Sequence, residues 1–288
     1  MESKDFRASE GAVVRLHMWP TRVDLGYKSE AQYEALLTAC VANLRAMQEL
    51  HYVANKYAIL LVLQGTDVTE EDRTIRHVMC CVNPQGNTVY RFKGPTTDEL
   101  ECDLLWRRTR EFPERGRIAI SNRSYYMEML GVHMYPKIPG HDEAPDAPGR
   151  DGKVWRVRYH SINEYEERLH VNGTRVVKIF LHVSKSEQKK RLLERIDDLE
   201  RNWNSRDVDM QGRAFRSDDT CAFEDCLTAT NTGHAPWYIV PADDEDNAHL
   251  IVSQILLDTF NRLDTICPEA SAVREEPLLG IREESTRL

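Results

Sequence analysis

Residues 64–75 read Gln-Gly-Thr-Asp-Val-Thr-Glu-Glu-Asp-Arg-Thr-Ile and directly follow the apolar run 58–63. A strand that ends in a Gly-bearing turn leading into a helix aims backbone N–H groups at an anion, and phosphate suits such a place. A loop of this kind normally carries a Lys to neutralise the transferring group. Gly65, Asp67, Thr74 and Ile75 keep the frame, but the place expected to hold the Lys carries Glu71, with Glu70 before it. For unit charges about 4 Å apart at an effective dielectric near 20, attraction turned to repulsion is on the order of 4 kcal/mol each way, before solvent and relaxation reduce it. Half of that swing, felt in a transition state, is worth several powers of ten in rate. The loop therefore announces a phosphate-binding fold and puts the usual chemistry of that fold in question.

The elements that must hold this loop follow from periodicity. Ser29 and Gln32 have capping-box spacing, and the apolar residues Tyr33, Leu36, Leu37, Cys40, Val41, Leu44, Met47 and Val53 recur with helical period behind them. The run 58–63 predicts a buried parallel strand. Helix is expected over 74–81, strand over 88–92, helix over 96–110, strand over 117–121 and a further helix after Arg123-Ser124. The Pro- and Gly-rich stretch 136–153 predicts a surface loop. Helix over 161–171, strand over 175–183, a helix opened by Ser184 with Glu187, strand over 237–241 and helix over 248–263 complete the pattern. Residues 1–26 show no clear periodicity. Such alternation implies an α/β fold with a parallel sheet covered on both faces. Ligands on such sheets sit at the carboxyl ends of the strands, so the segments after 58–63 and 117–121 should share one crevice.

The 288 residues, 41% hydrophobic and 30% charged, are those of an ordinary globular protein. No run approaches the roughly 18 apolar residues of a membrane span, and the amino-terminal residues carry no apolar signal region, so a cytoplasmic location is expected. Seven cysteines without a Cys-x-x-Cys pair predict free or buried thiols. A formal net charge of −9 argues against non-specific nucleic-acid binding, which rests on Lys and Arg.

Over about residues 25–262 the chain resembles the family-2 polyphosphate kinases, in the subgroup that phosphorylates AMP and ADP. The segments carrying the resemblance are Leu63-Gln64-Gly65 with Asp67, Thr74-Ile75-Arg76-His77-Val78-Met79, Val82-Asn83-Pro84-Gln85-Gly86, and Phe92-Lys93 with Pro95, Glu99-Leu100 and Leu105-Trp106-Arg107. Asn122-Arg123-Ser124-Tyr125-Tyr126, Phe180-Leu181-His182-Val183-Ser184-Lys185 with Glu187-Gln188-Lys189-Lys190-Arg191, Ala235-Pro236-Trp237-Tyr238 and Pro241-Ala242-Asp243-Asp244 continue it in family order. The resemblance implies a P-loop kinase-like three-layer sandwich, with one domain over 1–264, a helical lid at about 191–232 and a polar tail over 265–288. It also implies phosphoryl transfer between polyphosphate and nucleotides, Mg²⁺ as cofactor and a homo-oligomer.

Against the family loop, Gly-x-Asp-x-x-Gly-Lys-Asp-Gly, Gly65, Asp67 and Asp72 match, while Glu70, Glu71 and Arg73 replace Gly, Lys and Gly. Met127 stands where Glu is usual, and Asn204 and Glu245 stand where Lys is expected. By resemblance Asp67, Asn122 and Arg123 are catalytic candidates, with Asp67 a Mg²⁺ ligand; Gly65, Arg73, Arg191 and Arg195 are phosphate contacts. Each has an ordinary reading beside it. Asp67 could cap the helix near Thr69, Arg123 could pair with an acid at the sheet edge, and Arg191 and Arg195 could pair with Glu187, Glu194 or Asp198. Glu70-Glu71-Asp72 could be a solvated helix start, where the dipole favours acids. His77, His182 and His234 read as packing or loop residues, and Asp243-Asp244-Glu245-Asp246 as the cap of the last helix.

Three functional expectations follow: a degenerate pseudokinase acting by binding, for instance as partner of an active subunit; an active phosphotransferase using Arg73; and an enzyme with a less anionic substrate. The first is favoured because the changes share one direction, loss of positive charge.

Overall fold

The computed structural model describes residues 2–24, 26–65, 68–79, 82–91, 113–122, 124–126, 130, 152–197 and 217–263. The first long helix, α1 (Glu30–Ala54), starts where Ser29 accepts the backbone N–H of Gln32. It stops at Asn55, which turns left-handed at φ 47°. Gly116, at φ +76°, lies against this stop: a Cβ there would meet the Tyr52 carbonyl at 2.9 Å. The order continues β1 (Ala58–Gly65), α2 (Val68–Met79), β2 (Asn87–Arg91) and β3 (Ile118–Asn122). It then runs α3 (Gly152–Val171), β4 (Thr174–His182), α4 (Lys185–Asp197), α5 (Ser217–Ala229), β5 (Trp237–Pro241) and α6 (Glu245–Arg262).

The five strands pair parallel throughout in the order β2-β3-β1-β4-β5. β1, β3 and β5 are buried at every position, which is why they read as continuous apolar runs rather than alternating ones. Parity divides the two faces. Ile59, Leu61 and Leu63 join Leu44, Ile75, Ile251 and Ile255 on the side of α1, α2 and α6. Leu60 and Val62 join Tyr126, Ile162, Leu169, Phe223 and Leu227 on the side of α3 and α5. β1 lies between β3 and β4, so the strand order reverses there, and its carboxyl end is the place where such sheets hold a ligand.

Most expected elements are present with shifted ends. α2 begins six residues before the expected start at 74, since the turn after Gly65 leads into helix almost at once. α3 begins at Gly152, nine residues before 161. The expected helix over 96–110 and nearly all of the expected loop 136–153 lie outside the described residues.

One expectation is corrected. Residues 217–232, assigned to the lid, belong to the core layer: Ala222, Phe223, Cys226 and Leu227 of α5 are buried against the sheet, because their spacing puts an apolar stripe on one face. The aperiodic amino-terminal segment is an ordered strap. It contains two 3-10 turns, Ser3–Phe6 and Leu16–Met18, and Ala8 N–H donates to the Trp237 carbonyl, Leu16 N–H to Glu224 and Val14 N–H to Thr228, so distant partners satisfy much of its backbone. Among the described residues no helix is long and apolar enough to cross a membrane.

Candidate functional site

The crevice is built where β1, β3 and β4 end. Gly65 closes β1, and α2 starts three residues later. Asp67 and Arg123 lie outside the described residues, as do Met127 and Asn204; Glu70 and Arg195 are placed as helical backbone in α2 and α4.

Glu71 is wholly buried. The expectation of a solvated acidic helix start is thereby corrected at this residue: the second residue of the acid run is buried, not solvated. Beside it Asp72 accepts a hydrogen bond from Asn122 Nδ2 at 2.7 Å, which joins the first motif to the second. Ser124 Oγ donates to Gln64 Oε1 at 3.3 Å and accepts from Tyr126 N–H at 3.2 Å, so the loop after β3 is tied to the end of β1.

Arg73 forms an ion pair with Glu245, the first residue of α6. The pair joins α2 to α6, so the guanidinium is drawn toward α6. One turn further, His77 and His249 stack with ring centroids 4.2 Å apart and planes 5° from parallel. Burial lowers both imidazoles below the usual histidine range, and His249 is pushed down to about 3, with His77, Arg73 and Arg191 adding to the effect. Both rings are therefore neutral at pH 7.

Arg191 is buried. Its Nε donates to Glu187 Oε1 at 3.2 Å and its Nη2 donates to the Ala242 carbonyl at 2.8 Å and the Asp243 carbonyl at 3.2 Å. The ordinary pairing with Glu187 is thus present, and the guanidinium also satisfies carbonyls where β5 turns into α6. Asp243, which the sequence reading gave no role beyond a capping run, is a junction: its carboxylate accepts from Ser184 N–H at 2.7 Å and from the Thr21 hydroxyl at 2.7 Å. Asp244 caps α6 through Asn247 N–H, as its position predicts. Nothing in the local sequence marks the His77–His249 stack; only the packing of α2 on α6 brings the two rings together.

Carboxylate oxygens are the hard donors that Mg²⁺ takes, usually one or two of them alongside substrate phosphates. Asp72 places one such group at the crevice, so the donor chemistry present fits that ion.

A parallel sheet in this order, with a glycine-ended central strand opening into a helix, defines the class of P-loop kinase-like α/β phosphotransferase folds. The model of the family described as polyphosphate kinase 2 matches residues 27–266, and the chain belongs to that family. It is 45% identical, over 99% of its length and 98% of the relative's, to an ADP-polyphosphate phosphotransferase of Rhodopseudomonas palustris. It is 36% identical, over 84% of its length and 87% of the relative's, to an AMP/ADP-polyphosphate phosphotransferase of Meiothermus ruber. The crystal structure of polyphosphate kinase 2 from Arthrobacter aurescens superposes with a TM-score of 0.84 at 31% identity, covering 97% of this chain and 96% of that one.

Proposed function

We propose that this chain is a polyphosphate:nucleotide phosphotransferase of its family in which phosphoryl transfer is slow or lost, and that it acts mainly by binding, alone or beside an active subunit. The observation that supports this reading is the burial of Glu71 where the family carries Lys, together with the engagement of Arg73 by Glu245. A cation needed on the phosphate is replaced by an anion, and the nearest substitute points to another helix. In this reading Gly65 offers backbone N–H, Arg195 and Arg123 contact phosphate, Asn122 orients Asp72, and Asp67 would hold Mg²⁺. That ion, when bound, supplies positive charge to the phosphate oxygens.

A second reading, an active enzyme for ADP or AMP, is favoured by the 45% identity to a protein named as an ADP-polyphosphate phosphotransferase. Arg73 would then have to leave Glu245 and reach back past Glu71. The experiment is nucleotide formation from polyphosphate with AMP, ADP or GDP, with Mg²⁺ or Mn²⁺, on the folded protein. Turnover above about 0.1 s⁻¹, abolished by Arg73→Ala, supports the active enzyme; no turnover supports the impaired one.

A further inference from the structure

One wholly buried charged pair among the described residues has no part in the crevice chemistry described above. Lys178 and Glu166 are wholly buried, Nζ to Oε2 at 2.7 Å. Replacing such a pair by apolar residues is often neutral or stabilising, so its presence is weak evidence of a stabilising role. What the pair holds is more informative. The three protons of the Lys178 ammonium go to Glu166 Oε2, to the Thr230 carbonyl at 2.6 Å and to Tyr126 Oη at 3.2 Å. The other oxygen of Glu166 accepts two phenols, Tyr125 at 2.6 Å and Tyr126 at 2.7 Å. Thr230 directly follows α5, and its hydroxyl accepts from Trp237 Nε1 at 2.9 Å. Lys178 also lies over the rings of Tyr126 and Trp237, 5.5 and 5.3 Å from their centroids. Four pieces of chain meet on one ammonium: the turn after β3, α3, the middle of β4 and the end of α5.

Tyr125 and Tyr126 follow directly on Asn122-Arg123-Ser124, the second motif of the crevice. We propose that Lys178 and Glu166 are positioning residues, which fix the β3 loop and the end of α5 to the central strand β4 and so set where Asn122 and Ser124 meet Asp72 and Gln64. The geometry requires this of any occupant of the crevice. The inference rests on the proposed function only in taking that loop as part of the phosphate site. A hydrophobic pair would fill the same volume, but it would not register two phenols and a carbonyl on fixed points.

The test uses amide hydrogen exchange and thermal melting on the full chain, without ligand. Tyr125→Phe with Tyr126→Phe cuts the loop from the network and leaves the ion pair its Thr230 contact. Exchange at 122–126 is expected to rise at least about tenfold relative to β1. Lys178→Met with Glu166→Leu strands both phenols and the Thr230 carbonyl, so it is expected to melt below the parent protein and to show the same fast exchange at 122–126 and around Thr230. Equal acceleration over β1 and the loop, or a Lys178→Met/Glu166→Leu protein that keeps slow loop exchange and the parent melting temperature, overturns the proposal. Should that variant not fold, the Tyr125→Phe/Tyr126→Phe exchange pattern decides alone. Because no ligand is used, a failed polyphosphate assay leaves this inference standing, and the reverse holds as well.

Discussion

Two ion pairs sit on opposite faces of the same sheet and behave as different objects. Arg73–Glu245, between α2 and α6, leaves 28% and 35% of its side chains exposed; Lys178–Glu166, between β4 and α3, leaves none. The first is screened by water, links two helices, and can be reversed at little cost. The second has no water to fall back on, so every donor and acceptor in it must be satisfied, and it sets geometry. Burial thus decides whether a charge pair is an adjustable surface feature or a structural constraint. Near the exposed pair lies the acid run Glu70-Glu71-Asp72; next to the enclosed one lies the motif Asn122-Arg123-Ser124-Tyr125-Tyr126.

The sharpest way to break this contrast is to remove one member of the enclosed pair. Glu166→Leu leaves a buried ammonium without its counter-charge, and chemical denaturation should show a loss of about 3–5 kcal/mol. A loss under about 1 kcal/mol, the range of exposed pairs, would erase the distinction.

The phosphate side is sharpened by restoring its charge. Glu70→Gly, Glu71→Lys and Arg73→Gly together should raise polyphosphate-dependent nucleotide formation about a hundredfold or more, the scale on which single electrostatic contacts act in transition states. If the triple variant is no faster than the parent, the altered loop is not what limits transfer.

Acid should act first on the α2–α6 contact. His249 has a folded value pushed down to about 3 against an unfolded value near 6.5. The unfolded chain therefore takes up a proton below about pH 6.5 that the folded chain refuses until about pH 3, and stability falls as pH drops through that window. By pH 5 the contribution is about 2 kcal/mol. His249→Gln should remove most of that slope in denaturation measured from pH 7 to pH 5; an unchanged slope would assign the acid sensitivity elsewhere.

The smallest effect belongs to the exposed pair. A double-mutant cycle with Arg73→Ala and Glu245→Ala should give a coupling of about 0.2–1 kcal/mol, shrinking with added salt. A coupling of several kcal/mol would place this pair with the enclosed one.

Periodicity and punctuation located most of the scaffold. The strand 237–241 is found where it is expected, Ser29 and Asp244 cap the helices they precede, and the alternation of helix and strand implies the parallel sheet that is observed. These are local matters, settled by side-chain period and by backbone donors that need partners within a few residues. The strap over residues 2–24 escaped because its backbone bonds go to Trp237, Glu224 and Thr228, partners more than two hundred positions away. Lys178 left a trace, a lone charge inside the apolar run Val-Val-Lys-Ile-Phe-Leu, and a buried charge demands a partner. Nothing in that run names Glu166 as the partner.

The amino-acid sequence by itself determined the family frame and the acid run Glu70-Glu71-Asp72 after Gly65, since both are properties of residue type and order. Only the tertiary structure decided where those charges and their neighbours go. It turned Glu71 inward, paired Arg73 with Glu245, gave Arg191 to the carbonyls of Ala242 and Asp243, and hung the β3 loop from Lys178. An electrostatic energy depends on distance and on the surrounding dielectric, and neither is written along a chain until helices from distant positions are packed on one sheet.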